Sequence, residues 1–338
     1  MRYIIIGAGA VGGAIGGLLF EAGQRVVLVA RGAHLTELRE HGLRLVTPGR
    51  DRRLPVSVAA GPAEVELQAD DVLVLAVKTQ HSEAALSAWA DRPVAGGGTA
   101  GERLPVVCAQ NGVENERLAA RRFRRVVGMC VWLPSTHLQP GVVAAPCAPL
   151  TGILTIGSYP AGLDETVRAI GAGLDGAGLD GAGLRAPVVA DVMRWKYGKL
   201  LGNLVNAIDA VAGSSSGEQP AELLRRARAE GTEVLKAAGI AHTDEEEQRA
   251  ARGDAMPVQE LPGLVLGGSS SRQSLARGAG SIEVDYLNGE IVLLGRLHGV
   301  ATPVNEILQR LSDRLAAERR GPGELSAAEL DELRAVIG

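Results

Sequence analysis

A short run of β-branched and aromatic residues at 3–6 leads at once into Gly7-Ala8-Gly9-Ala10-Val11-Gly12, and small and aliphatic residues follow through Leu19. This is G-x-G-x-x-G in the strand-then-helix setting that gives the pattern its meaning. Gly7 permits a tight turn, Gly9 lets the backbone approach a pyrophosphate, and Gly12 lets helix and strand pack closely, while the free N–H groups at the helix start attract the anion. The stretch is read as a dinucleotide-binding turn rather than a glycine-rich turn of structural use only. Residues 3–20 carry no charge and resemble a membrane span or a secretion signal in that respect, but six glycines at this spacing exclude both readings.

The rest of the first half alternates short β-branched runs with helical stretches, the pattern of a parallel sheet with crossovers. Strands are expected at 3–6, 25–29, 72–77, 106–109 and 126–131, and 141–145 with 152–156 reads as a hairpin extending the sheet. From about Asp191 strand signals vanish and helical periodicity takes over. Helices are expected at 192–212, 218–238, 281–298 and 303–317, the last opened by Thr302 as N-cap with Pro303 at the first helical position. The expected fold is α/β: an N-terminal Rossmann-type doubly wound sheet over 1–188 that holds the nucleotide, and a C-terminal all-helical domain over 189–338 for substrate and catalysis. A chain of 338 residues is long enough to bury both cores. Residues 171–184 read GAGLDGAGLDGAGL, a unit too short and glycine-rich for a solenoid. It is taken as an expansion lengthening a surface helix or loop, with a flexible interdomain element as the alternative. Residues 213–217, GSSSG, read as a connecting loop.

Acidic and basic residues nearly balance, 39 against 35, and the basic ones are scattered, so nucleic acid and anionic membranes are poor partners. Cys108, Cys130 and Cys147 are odd in number and lack metal-ligand spacing, which points to no metal and to a reducing cytoplasm. Only four lysines occur, Lys78, Lys196, Lys199 and Lys236. An amine can give up a proton and a guanidinium effectively cannot, so these four form the short list for ammonium chemistry.

The end of the second strand distinguishes the nicotinamide cofactors, because a carboxylate there accepts from a ribose 2′-OH and repels a 2′-phosphate. Here the sequence is Val29-Ala30-Arg31-Gly32, with no acid and with a fork-shaped cation. Arg31 favours NADP(H) over NAD; the alternative is a surface arginine at a strand end. Lys78 and Asn111 each follow an expected parallel strand, where doubly wound sheets place ligands.

In the helix expected at 192–212, Lys199, Asn203 and Asn206 stand among leucines and small residues. On an ideal helix Asn203 lies about 40° from Lys199 and Asn206 about 20° the other way, giving one narrow polar stripe. Such a stripe faces either a wet cleft or a core of satisfied amides with a snorkelling lysine. Glu283 comes early in the helix expected at 281–298, where an ordinary first-turn acid is the alternative to a functional one. Asp285 reads as structural or solvated, and Gly289 inside the helix suggests close packing against another helix.

Taken together, these residues resemble the ketopantoate reductases across nearly the whole chain. The shared landmarks are Gly7, Gly9 and Gly12, Val77-Lys78, Gln110-Asn111-Gly112, Trp195 with Lys199 and Asn203, the run from Ile282 to Gly289, and Gly299-Val300-Ala301-Thr302-Pro303. The resemblance implies that Lys199 acts as general acid at a ketone, that Asn203 helps hold substrate, and that Glu283 bonds the substrate hydroxyl. It implies a serine for the substrate carboxylate, Ser271 by straight spacing or Ser270 with one inserted residue. Arg31, Lys78 and Asn111 are implied to line the cofactor and substrate cleft. Two departures bear on the substrate. The family's second asparagine, eight residues after the lysine, is Ala207 here with Asn206 adjacent, and the aspartate expected after the serine is replaced by Ser274 or Leu275.

The expected activity is NADPH-dependent reduction of a small 2-oxo acid, 2-dehydropantoate first, which places the protein in pantothenate biosynthesis. Asn111, Asn203, Asn206 and Ser271 are expected to orient the substrate. A paralogue acting on another 2-oxo acid or on an imine is the alternative within the enzyme class. A non-catalytic NADP-binding protein is the alternative outside it, against which the retained Lys199 and Glu283 argue. Self-association as a homodimer is left open.

Overall fold

Five runs rich in valine, isoleucine and leucine have almost every side chain buried, which is what a parallel strand covered on both faces requires. In the computed structural model these are β1 (Arg2–Ile6), β2 (Arg25–Val29), β6 (Asp71–Leu75), β7 (Pro105–Cys108) and β8 (Arg125–Trp132). The structure describes residues 1–179, 182–213, 216–264 and 268–336. The remaining strands are β3 (Leu43–Thr47), β4 (Arg50–Leu54), β5 (Ser57–Ala59), β9 (Thr136–Gln139), β10 (Val142–Ala144), β11 (Leu150–Ser158), β12 (Gly178–Leu179) and β13 (Ala182–Arg185). Among the described residues, nine strands form one sheet in the order β12-β13-β11-β8-β7-β6-β1-β2-β5, and β4-β3-β10-β9 form a second.

From β8 to β5 the large sheet is parallel, and its order reverses direction at β1, which lies between β2 and β6. That reversal is the switch point of a doubly wound sheet, where ligands bind beyond the carboxyl ends of the strands. The N-terminal part is therefore the Rossmann-type sheet expected from the sequence. Its crossover helices are α1 (Ala10–Glu21), α2 (Gly32–His41), α3 (Ser82–Ala90), α4 (Ala100–Arg103), α5 (Glu114–Ala120) and α6 (Glu165–Leu174).

Helix α1 is packed between the two sheets, and this accounts for its glycines. A Cβ on Gly12 or Gly16 would strike Ile5, Ala76 or Leu28 of the large sheet or the strands' ends, and one on Gly13 or Gly17 would strike Val143, Leu43 or Leu45 of the small sheet. Two i,i+4 glycine pairs thus give the helix two close-packed faces.

The second half is helical: α7 (Val192–Asn203), α8 (Val205–Ala212), α9 (Glu218–Ala237), α10 (Glu245–Arg252), α11 (Ser270–Ala276), α12 (Asn288–His298), α13 (Pro303–Ala317) and α14 (Ala327–Ala335). The chain divides into two compact units. One comprises Met1–Gln110, Glu114–Trp195 and Glu245–Val265, and the other Asn111–Val113, Lys196–Asp244 and Leu266–Gly338. The excursion of 245–265 into the first unit has evident causes. Arg194 grips Glu247 with both terminal nitrogens, the Arg252 guanidinium lies 4.0 Å above the Trp132 ring, and Leu150 N–H donates to the Ala255 carbonyl at 2.9 Å. In the second unit Glu230 of α9 caps α13, accepting from Val304 N–H at 2.8 Å and Asn305 N–H at 3.0 Å. Thr302 occupies the N-cap position without a side-chain bond, so the cap comes from a neighbouring helix.

Several expectations are corrected. The hairpin expected at 141–145 and 152–156 does not form: β10 belongs to the small sheet and β11 to the large one. Pro146 and Pro149 lack the N–H that a continued ladder needs, and the segment pairs instead with 255–259. The helix expected over 192–212 is divided at Leu204 into α7 and α8, after Gly202 and Asn203, both weak helix formers, with Leu204 itself keeping helical dihedrals. The helix expected at 281–298 starts only at Asn288, after a 3-10 turn at Val284–Tyr286. The repeat is neither a lengthened helix nor a loop throughout. Its first copy ends α6, and Gly178–Leu179 and Ala182–Arg185 form β12 and β13 at the sheet edge, with Leu174 and Leu184 buried; residues 180 and 181 lie outside the described residues. Of the GSSSG loop, residues 214 and 215 lie outside the described residues. Gly289 does pack closely: a Cβ there would lie 2.7 Å from the Gln309 amide of α13. No helix of the described residues is long and apolar enough to cross a membrane.

Candidate active site

In the first unit the chain leaves β1 through Gly7, whose φ of 106° is open to glycine alone and whose added Cβ would lie 2.8 Å from the Val77 nitrogen. The N–H groups of Gly7 and Ala8 donate to the Val29 carbonyl at 3.2 and 3.0 Å, tying the turn to the end of β2. Gly9 is the N-cap of α1; no side chain caps the helix and no acid stands in its first turn. A Cβ on Gly9 meets no protein atom within 4 Å. The turn thus offers uncapped N–H groups beside open space at a helix start, which is what a pyrophosphate requires, and a dinucleotide fits here.

Arg31 follows β2 as the N-cap of α2; its exposed guanidinium makes no hydrogen bond or ion pair among the described residues. Lys78 follows β6 at the start of a 3-10 turn over Thr79–His81 and is half-buried. A buried polar chain, unanticipated from sequence, secures this loop. Ser82 Oγ donates to Asn115 Oδ1 at 2.6 Å, Asn115 Nδ2 to Thr79 Oγ1 at 3.1 Å, and Gln110 Nε2 to Ser82 Oγ at 3.2 Å.

In the second unit the Lys199 ammonium donates to Asn111 Oδ1. The following Gly112, with φ 75°, lies so close to the Tyr286 carbonyl oxygen that an added Cβ would be 2.7 Å away. This carbonyl belongs to the 3-10 turn that Glu283 opens, and Glu283 itself is 8% exposed. Glu283 is therefore not a helix first-turn acid, and the dipole explanation for it falls away. Lys199, Asn111 and the turn carrying Glu283 form one cluster.

Asn203 ends α7 and Asn206 lies in the first turn of α8, and Leu204 between the two helices keeps helical dihedrals, φ −59° and ψ −22°. Asn206 Nδ2 lies 3.5 Å from Ser270 Oγ, whereas Ser271 is buried at 2% exposure. Ala207, the position that departs from the resemblance, is 1% exposed, and an amide there would enter the core. Asp209, one turn beyond Asn206, accepts from Ser269 N–H at 2.9 Å and lies 3.7 Å from Arg272, and so ties the start of α11 to α8. Sequence reading passed over Asp209; an acid three residues after a polar stripe on an apolar helix was the available signal.

Residues 3–160 match the family described as ketopantoate reductase PanE/ApbA, and residues 191–316 match its C-terminal part. The 2-dehydropantoate 2-reductase of Halobacterium salinarum is 31% identical over 323 residues, covering 92% of this chain and 97% of the relative. That of Mesorhizobium japonicum is 33% identical over 350 residues, covering 94% and 99%. A crystal structure of a PanE/ApbA family ketopantoate reductase from Ralstonia eutropha superimposes with a TM-score of 0.75 at 27% identity, covering 94% of this chain and 99% of that one. The fold and these matches define an oxidoreductase, and the chain is a member of the ketopantoate reductase family.

Proposed function

We propose that this protein is an NADP(H)-dependent reductase that converts the carbonyl of a small 2-oxo acid to a hydroxyl, with 2-dehydropantoate, reduced to pantoate, as the leading substrate. The observation that carries the reading is the Lys199–Asn111 pair, an ammonium held by an amide oxygen in a member of a reductase family. Bound NADPH supplies the hydride. Lys199 holds a proton for the carbonyl oxygen on which negative charge develops, and stabilising that charge is the main catalytic term. Asn111 fixes the ammonium and with Asn203 and Asn206 orients the substrate; Ser270, or Ser271 in the other register, takes its carboxylate. Glu283 bonds the substrate hydroxyl.

Gly7, Ala8, Gly9, Ala10, Val11 and Gly12 would hold the pyrophosphate, with Lys78 and Asn111 lining the cofactor side. Arg31 supports NADP(H) over NAD, since its fork is uncommitted among the described residues and β2 ends without a carboxylate. On this reading residues 1–188 bind the cofactor and 189–338 the substrate, the protein acts in cytoplasmic pantothenate biosynthesis, and a homodimer is compatible with it.

A second reading, reduction of a different 2-oxo acid or of an imine, is supported by the buried Ala207 and the Asn206–Ser270 contact. With NADPH saturating and 2-dehydropantoate as substrate, Lys199→Ala should lower kcat by about 10²–10⁴-fold. Undiminished turnover refutes the assignment. Wild-type rates with 2-dehydropantoate, other 2-oxo acids, and 2-oxo acid plus amine separate the two readings.

A further inference from the structure

His34, in the first turn of α2, bridges two backbone groups that are far apart in sequence. Gly141 N–H donates to its Nδ1 at 2.8 Å, and its Nε2 lies 2.7 Å from the Ala8 carbonyl oxygen. A backbone N–H only donates, so Nδ1 is the accepting nitrogen and the proton is assigned to Nε2, which donates to Ala8. Ala8 N–H is itself bonded to the Val29 carbonyl at 3.0 Å. Both polar groups of Ala8 are therefore held.

The Ala8–Gly9 peptide is trans, so its carbonyl and its N–H point in opposite directions. Holding the carbonyl on His34 aims the Gly9 N–H away from the imidazole. That N–H donates to no group among the described residues, and Gly9 has no side chain to resist rotation of the peptide. We propose that His34 is a positioning residue for dinucleotide binding: by holding the Ala8 carbonyl it stops the Ala8–Gly9 peptide from rotating and keeps the Gly9 N–H presented to the pyrophosphate. The inference rests on the dinucleotide reading of the turn and adds the side chain that preorganises it.

The arrangement requires a neutral imidazole. Protonation places a hydrogen on Nδ1, opposite the Gly141 N–H, and two donors then face each other. Burial pushes the His34 pKa below the ordinary 6.5, with the Ala8 bond acting in the other direction, so the grip is intact at neutral pH and opens only in acid. Among the described residues the titratable and charged groups nearby are His137 of β9, whose ring centroid is 4.4 Å away, Arg31 at the N-cap of α2, and Glu37 one turn on, paired with His41 and with Arg53 of β4.

The test is direct titration of wild type, His34→Leu and His34→Gln with NADPH, and separately NADH, followed by nucleotide fluorescence at about pH 7.5 and about pH 5, with Tm recorded for each. His34→Leu should bind at least about tenfold more weakly, the size of the charge-assisted hydrogen bond from the Gly9 N–H to the pyrophosphate, and His34→Gln, which keeps an N–H donor, should fall between. Wild-type affinity should drop more steeply at the lower pH than that of either variant, and the NADH arm removes the contribution from titration of the NADPH 2′-phosphate. A folded His34→Leu that binds within about twofold of wild type and keeps its pH profile overturns the proposal. If His34→Leu does not fold, His34→Gln decides by whether it retains the wild-type pH dependence. Wild type that binds neither nucleotide overturns the dinucleotide reading itself and the inference with it.

Discussion

Lys199 donates its ammonium proton to the side-chain oxygen of Asn111, and the residue after that asparagine is pressed against the Tyr286 carbonyl. The acceptor is thus clamped from behind by the turn that bears Glu283, while the lysine extends from α7. A clamped acceptor fixes where a flexible four-carbon stem delivers its charge, and position is worth as much as charge in such chemistry.

Asn111→Ala should therefore lower kcat, by about tenfold to a hundredfold, because the freed ammonium loses its placement. Asn111→Asp should retain more activity, since a carboxylate oxygen still accepts from the amine. Steady-state rates at saturating NADPH decide the matter; equal kcat in wild type and Asn111→Ala would remove the pair from the mechanism.

Long-period features of this fold were open to sequence reading. The buried valine and isoleucine runs of β1, β2, β6, β7 and β8 and the apolar stripe of α13 repeat often enough to outweigh local exceptions. The glycine turn and Lys199 were legible because each has a residue type that the surrounding sequence does not otherwise need. Short-range features failed. Strands β3 and β4 are rich in arginine, Arg44, Arg50, Arg52 and Arg53, since one face of the small sheet is partly exposed, and they did not look like strands. The division at Leu204 and the 3-10 turn after Glu283 depend on backbone geometry that no single residue announces. His34 was invisible because both of its partners are backbone groups, and backbone carries no sequence signal.

Acidity should register on α13. Burial, then the neighbouring Asp285 charge, push the Asp313 carboxyl from 3.8 up to about 7, and Gln309 donates to the other partner, Asp285, at 2.6 Å. With a folded pKa above the unfolded one, the folded state holds an extra proton between those values. Its stabilisation is fully present below the unfolded value of 3.8 and is lost as pH rises through about 7. Wild type should show a lower denaturation midpoint at about pH 8.5 than at about pH 5.5, and Asp313→Asn should narrow that gap. An unchanged gap in the variant would show that the pair does not titrate in this range.

Gly9 and Gly12 stand three residues apart in one turn, yet methyl groups at the two positions should do opposite things. On Gly12 a Cβ would lie 2.0 Å from the Gly7 carbonyl oxygen and 2.9 Å from both Ala76 and Ile5. Backbone must move to admit it, so Gly12→Ala should cost about 1–3 kcal/mol of stability and lower Tm. On Gly9 a Cβ would touch no protein atom, and the residue's φ of −72° is one that alanine adopts freely. Gly9→Ala should thus melt close to wild type, within about 0.5 kcal/mol, while its methyl occupies the space where a pyrophosphate must approach. Its affinity for NADPH should then fall by at least about tenfold, a loss of 1.4 kcal/mol or more by the usual conversion. Measuring Tm and NADPH binding on both variants separates packing from recognition, because instability alone moves the first quantity and not the second. Normal NADPH binding by a folded Gly9→Ala would mean that the space beside α1 receives no dinucleotide, and the cofactor would have to be sought elsewhere in the chain.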